Sequence, residues 1–280
     1  MVFPVFLKLF SESLLSFYPA MVKYIQFPVI NQMWARLVVY ALISALFMNW
    51  GTVWKELFSW FGVLLAVMQV LHIYSSYIGF SLLEAGVSYS IFYMYPLLIM
   101  LLGGVGWRWI YLATLFGVGM LTWSSWKSTL GDAEQLKVFK GLTGILIATL
   151  TEVGLYFIVR KMHGESNKWN ILFIGYLIPA IVLSIILNKN AIPRQESTEE
   201  GKWWTGVFLL LVGNALIGAV GYYLRFFTID KLSTLVYSSL SYFGIVMAYV
   251  YGWALNKDKI TWEKACGSLI IIISGILMNF

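Results

Sequence analysis

Residues 80–123 read FSLLEAGVSYSIFYMYPLLIMLLGGVGWRWIYLATLFGVGMLTW, and over that whole length only Glu84 and Arg108 carry a formal charge. A hydrocarbon core of ~30 Å takes ~20 apolar residues of helix to cross, so the stretch holds two crossings, 83–103 and 107–125. A bilayer admits only helices or closed barrels, and runs of this length belong to helices. The same pattern continues in both directions. Apolar runs bounded by charges, Pro and Gly place further spans at 4–25, 28–48, 57–79, 140–160, 169–188, 203–226, 232–255 and 261–279. The expectation is an all-α integral membrane protein with ten transmembrane helices.

Composition points the same way. The 280 residues are 60% hydrophobic, 18% aromatic and 11% charged, with a mean hydropathy of +0.79. A soluble domain carries about 25% charged residues, so too few remain here to coat a water-facing surface. Ten crossings use roughly 200 residues, and the expected loops at 126–140, 162–168, 189–202 and 256–259 are too short for an extramembrane catalytic domain. The net charge of +6 comes from basic residues scattered singly, which excludes a nucleic-acid partner. Cys266 stands alone, and His72 and His163 lie far apart, so neither a disulfide nor a metal or other cofactor is expected. The first run has no basic cluster ahead of it, is interrupted by Lys8 and Glu12, and is followed by no small-residue cleavage site; it reads as a retained span. Lys and Arg divide eight to ten between the two faces, so loop charge does not set the orientation.

Sliding the chain against itself by 146 positions sets Phe80 on Phe226, Glu84 on Asp230, Ser88 on Thr234 and Pro96 on Tyr242. A shift of 140 sets Ser11-Glu12 on Thr151-Glu152 and Phe17 on Phe157. The chain therefore reads as two five-span repeats, 1–128 and 139–280, joined by a polar stretch. Five is odd, so the second repeat inserts inverted, the arrangement of many secondary transporters, whose sites lie near the midplane between repeats.

The chain resembles the drug/metabolite transporter superfamily in its ten-span, EamA-like form. The resemblance is clearest over 80–123, with Pro96 in a serine-rich span and Gly117 and Gly119 in the next, and over 225–278, with Gly267 and Gly275; Tyr18-Pro19 and Arg36 are similar to family features too. One departure is Gly106–Arg108, which replaces the glutamate usual between the fourth and fifth spans. The resemblance implies movement of a small organic solute by alternating access.

Ionisable groups inside hydrocarbon are costly and mark function by default. Lys8, Glu12, Ser16 and Pro19 make one polar stripe on the first span, as Thr149, Glu152 and Tyr156 do on the sixth. Glu12 and Glu152 at equivalent repeat positions would meet at the pseudo-twofold axis, where burial disfavours the charged form; both are proton-coupling candidates. The alternative is structural, Glu12 pairing with Lys8 as a buried ion pair and Glu152 hydrogen-bonding within the bundle or lying close to the interface near Arg160. Arg36 either recognises an anionic group through its fork or neutralises Glu12. His72 either relays protons or is a hydrogen-bonded packing residue, and Arg225 reads as snorkelling to the headgroups. Tyr89, Phe92, Tyr93 and Pro96 form an aromatic face on the fourth span, and Thr234, Tyr237, Ser238 and Ser241 a hydroxyl face on the ninth; they line a chamber or simply pack. Pro19, Pro96 and Pro179 are candidate pivots. Trp34, Trp50, Trp54, Trp60, Trp107, Trp109, Trp203 and Trp204 fall near span ends, as interfacial anchors do.

The expected function is a secondary transporter in the lipid bilayer, a multi-pass protein of a plasma or inner membrane, working as a monomer or homodimer. Its solute is expected to be an amine or other cation, a drug-like molecule or a neutral metabolite, with protons as the coupling ion. The alternatives are an exchanger of anionic metabolites such as phosphorylated sugars or nucleotide sugars, a lipid-modifying membrane enzyme, and a channel.

Overall fold

The computed structural model describes residues 2–25, 27–105, 109–127, 132–162, 167–187 and 200–277. Among them every regular element is helical: α1 (Val2–Tyr24), α2 (Val29–Phe47), α3 (Val53–Leu57), α4 (Trp60–Leu82), α5 (Ala85–Phe92), α6 (Tyr95–Met100), α7 (Ile110–Lys127), α8 (Asp132–Met162), α9 (Lys168–Leu187), α10 (Glu200–Ile229), α11 (Thr234–Ser241), α12 (Phe243–Tyr251) and α13 (Trp262–Leu277), with π-helical turns at Leu101–Val105 and Gly252–Asn256. Eight stretches among the described residues are long and apolar enough to cross a membrane. Each overlaps an expected span. The other two expected spans fall on α7, of 18 residues, and α13, of 16 residues.

The polar stretch expected to be a loop at 126–140 is largely helix instead, because α8 begins at Asp132. Asp132 and Glu134 sit in its first turn, where acidic groups complement the helix dipole, and Ala133, Gln135, Leu136 and Lys137 are strong helix formers. Polarity there marks a helix protruding beyond the apolar run. Gly106–Arg108, His163 and the loop residues 163–166 and 188–199 lie outside the described residues, as do the side chains of Trp203 and Trp204. Trp34, Trp50, Trp54, Trp60 and Trp109 are exposed on the bundle surface, as anchoring residues need to be.

The fourth and ninth spans are both interrupted midway, between α5 and α6 and between α11 and α12. Pro96 lacks the N–H that would bond the Phe92 carbonyl, and the Thr149 hydroxyl on α8 points to that carbonyl from 3.5 Å. Pro19 likewise frees the Leu15 carbonyl in α1, and the Tyr89 hydroxyl donates to it at 2.6 Å. In the ninth span no proline acts. There Ser239 and Ser241 bond back to the carbonyls of Leu235 and Tyr237, both at 3.0 Å, a habit that bends helices.

Glycines set the closest helix approaches. At the crossing of α7 and α13, a Cβ built on Gly117 would lie 2.8 Å from the Gly267 carbonyl, and one on Gly267 would lie 2.9 Å from the Gly117 carbonyl. Small residues let membrane helices meet backbone to backbone. Gly119, on another face, would meet nothing within 4 Å. Gly117→Ala is therefore expected to cost about 1–3 kcal/mol by overpacking and to lower the melting temperature in detergent. Gly119→Ala is expected to be neutral or stabilising, since Ala exceeds Gly in helix propensity by ~1 kcal/mol. Equal melting curves for both variants would remove the crossing from this account.

Candidate functional site

Where α1, α4, α8 and α10 meet, the apolar interior holds a network of charges. Lys8, Glu12, His72, Glu152 and Arg225 are all buried. Arg225 bridges the two carboxylates, Nη1 donating to Glu152 Oε1 at 2.6 Å and Nη2 to Glu12 Oε2 at 2.9 Å. Nη2 also donates to the Tyr93 hydroxyl at 3.1 Å. Glu12 accepts further short hydrogen bonds from Lys8 and Tyr93. The second oxygen of Glu152 lies 3.5 Å from His72 Nε2, and that nitrogen is 3.3 Å from the Tyr222 hydroxyl. The other nitrogen of His72 faces the Ala148 carbonyl and the Thr151 hydroxyl, both at 3.2 Å. Lys8 Nζ stands 3.5 Å over the Tyr237 ring.

Two cations thus meet two carboxylates with both signs balanced, the condition under which buried charges are tolerated. Glu12 spends both oxygens on these bonds, whereas the second oxygen of Glu152 is buried without a hydrogen-bond partner. The local sequence explains the convergence. Gly221 lets α1 seat against α10, since a Cβ there would meet Leu15 at 2.9 Å, and Ser11 ties the contact by donating to the Gly221 carbonyl at 2.8 Å.

Two small cavities flank the network. The first is lined by Leu15, Tyr18, Arg36, Tyr40, His72, Ser76, Phe80, Tyr89, Phe92, Gly218, Tyr222 and Arg225. The second is lined by Tyr95, Glu152, Leu155, Tyr156, Tyr222, Arg225, Phe226, Ile229 and Tyr237. Along α10 they follow one another, Gly218 facing the first, Phe226 and Ile229 the second, and Tyr222 with Arg225 forming the wall they share. Each has room for about one water, too little for an organic solute.

Of the residues singled out by sequence, Glu12, His72, Tyr93 and Glu152 join the network, Arg36, His72, Tyr89 and Phe92 line the first cavity, and Glu152, Tyr156 and Tyr237 the second. Ser16, Ser238 and Ser241 line neither. Ser16 donates to the Glu12 carbonyl at 2.5 Å and lies against Gly244 of α12. Ser238 is buried, and Ser241 accepts from Tyr95 at 3.2 Å. Within the hydroxyl face, Ser241 thus ties α11 to α6, Thr234 accepts from Arg160, and Tyr237 lines the second cavity.

Three readings need correction. Arg225 does not snorkel: α10 runs one turn past the expected end at 226, to Ile229, so Arg225 lies deeper and is 2% exposed. Arg36 does not neutralise Glu12, because Lys8 and Arg225 already do. Of the two structural alternatives for Glu152, the hydrogen bond within the bundle occurs, from Arg225, and the placement near Arg160 does not, since Arg160 donates to the Tyr156 hydroxyl at 2.6 Å and to Thr234 at 2.5 Å. Sequence reasoning also missed Tyr95 and Tyr222. The spacing of Gly218, Tyr222 and Arg225 along one face of α10 is the signal that points to Tyr222; Tyr95, on α6, had no such signal.

No curated protein matches this chain. A solved structure, described as the crystal structure of a protein, is 12% identical and covers 98% of this chain and 97% of its own at a TM-score of 0.63, a likeness of fold. The sequence model of the EamA-like transporter family matches residues 139–280. The chain, a multi-pass membrane protein with its charges gathered between helices, belongs to the EamA-like transporter family.

Proposed function

We propose that this membrane transporter moves a small organic solute by alternating access, two inverted five-helix repeats, 1–128 and 139–280, rocking about the central ion network. The carrying observation is the pair of cavities set in succession along α10 with Tyr222 and Arg225 as their common wall. Repeat-equivalent residues line them. Leu15 and Phe80 face the first cavity, while Leu155 and Phe226, which the 140- and 146-residue shifts set on them, face the second.

The packing pairs support the same symmetry. Exchanging the first five expected spans for the last five turns the α4–α8 contact into α10–α1, and the α1–α12 contact into α8 against α5 and α6; all of these contacts occur. The α2–α9 and α7–α13 contacts map onto themselves. Interrupted helices at corresponding places in two halves are a feature of carrier binding sites. With room for about one water on either side, a solute enters only after one side opens. Opening draws Arg225 from one carboxylate, and the freed acid becomes a place for a proton.

The test uses single cysteines at Ser76, in the first cavity, and Ile229, in the second, on a Cys266→Ala background. In sealed vesicles a membrane-impermeant maleimide is expected to label the two positions from opposite faces. Labelling of both from one face would overturn the reading.

A further inference from the structure

One buried cation has no counter-ion. Arg36 is 4% exposed, and no carboxylate among the described residues lies within ion-pair distance of it. Its guanidinium carbon stands 4.1 Å from the ring centre of Tyr18, 5.0 Å from Tyr40 and 5.3 Å from Tyr222. Ring faces offset part of the lost hydration of a cation. They accept no fork of N–H donors. The hydroxyls of Tyr18, Tyr40 and Tyr176 lie close enough to the guanidinium to interact with its charge, but Arg36 Nε and the hydroxyl oxygens of Tyr18 and Tyr40 are buried without a well-formed hydrogen bond, and Arg36, Tyr18 and Tyr40 all line the first cavity. Buried polar groups left unsatisfied are rare and ask for an explanation.

We propose that Arg36, with Tyr18 and Tyr40, is the subsite for the carboxylate of a singly charged organic anion whose apolar body lies along Phe80, Tyr89 and Phe92. The assignment rests on reading the two cavities as one chamber on the solute's path. Charge balance selects the ligand. Lys8 and Arg225 cancel Glu12 and Glu152, so with His72 a neutral imidazole the chamber holds one surplus positive charge, that of Arg36. A monocarboxylate cancels it and supplies the planar, two-oxygen acceptor that guanidinium matches. A dianionic phosphate ester leaves a negative surplus in low dielectric. An amine adds a second positive charge beside Arg36, and Glu152, whose second oxygen has no hydrogen bond, lines the second cavity and not the first.

The experiment compares three probes with the same ring, benzoate, benzylamine and phenyl phosphate, by thermal unfolding of the full chain in lipid nanodiscs. Saturating benzoate is expected to raise the melting temperature by about 2–4 °C, and the other two by less. Arg36→Gln is expected to abolish the benzoate shift, and Arg36→Lys, which keeps the charge and loses the fork, to weaken it about tenfold in concentration. The proposal is overturned if benzylamine or phenyl phosphate stabilises as well as benzoate, if none of the three stabilises, or if the benzoate shift survives in Arg36→Gln. Should Arg36→Gln fail to fold, the probe comparison on the unaltered chain and Arg36→Lys decide alone. Because binding is read without transport, failure here leaves alternating access standing, and failure of two-sided thiol labelling leaves the anion site standing.

Discussion

Replacing Arg225 with methionine is expected to destabilise the protein by about 3–5 kcal/mol, the cost of breaking a buried pair and stranding a charge. The variant keeps Lys8 facing Glu12 but leaves Glu152 with His72 alone, at 3.5 Å. A loss of that size is a large share of an ordinary stability of about 5–15 kcal/mol, so the yield of folded protein should collapse. Adding Glu152→Gln removes the stranded charge and restores balance, since Lys8 and Glu12 remain. The double variant is expected to regain most of the lost melting temperature and none of the transport, because the wall between the cavities is gone. Melting in detergent and solute uptake into liposomes give the two readouts. A single Arg225→Met variant as stable as the unaltered chain would refute the bridging role.

The two carboxylates are expected to part company when each is neutralised. Glu12 takes hydrogen bonds from Lys8, Tyr93 and Arg225, so Glu12→Gln leaves two buried cations facing an amide, at a cost again of about 3–5 kcal/mol. Glu152 has one oxygen on Arg225 and the other 3.5 Å from His72, so Glu152→Gln leaves Arg225 its bond to Glu12 and should fold. In liposomes with an imposed pH gradient, and with a solute that stabilises the unaltered protein, Glu152→Gln is expected to equilibrate the solute without concentrating it. Accumulation equal to that of the unaltered chain would make Glu152 structural and assign the coupling elsewhere.

Spans were legible in the sequence because apolar length is a local property, and the two carboxylates were legible because any charge in such a run stands out. Arg225 was misjudged for a geometric reason. Its span was expected to end at 226, but Phe227, Thr228 and Ile229 extend the helix, and one added turn separates a headgroup contact from a central bridge. The hydroxyl face stayed open between lining and packing for another reason. Spacing of three and four assigns residues to one side of a helix, but it does not say whether that side meets a cavity or a neighbour; Ser241 meets Tyr95. Tyr18 and Tyr40 could be placed around Arg36 only once α1 and α2 were packed, since tyrosine is as common at a membrane interface as inside a carrier.

The shared wall also bears on slippage. On the proposed alternating access, a state with both cavities open parts Arg225 from Glu12 and Glu152 together rather than from one of them, and losing that second buried pair costs about 3–5 kcal/mol. At tenfold for each 1.4 kcal/mol, such doubly open molecules should be outnumbered by roughly two to four orders of magnitude, and little ion leak is then expected even in a steep gradient.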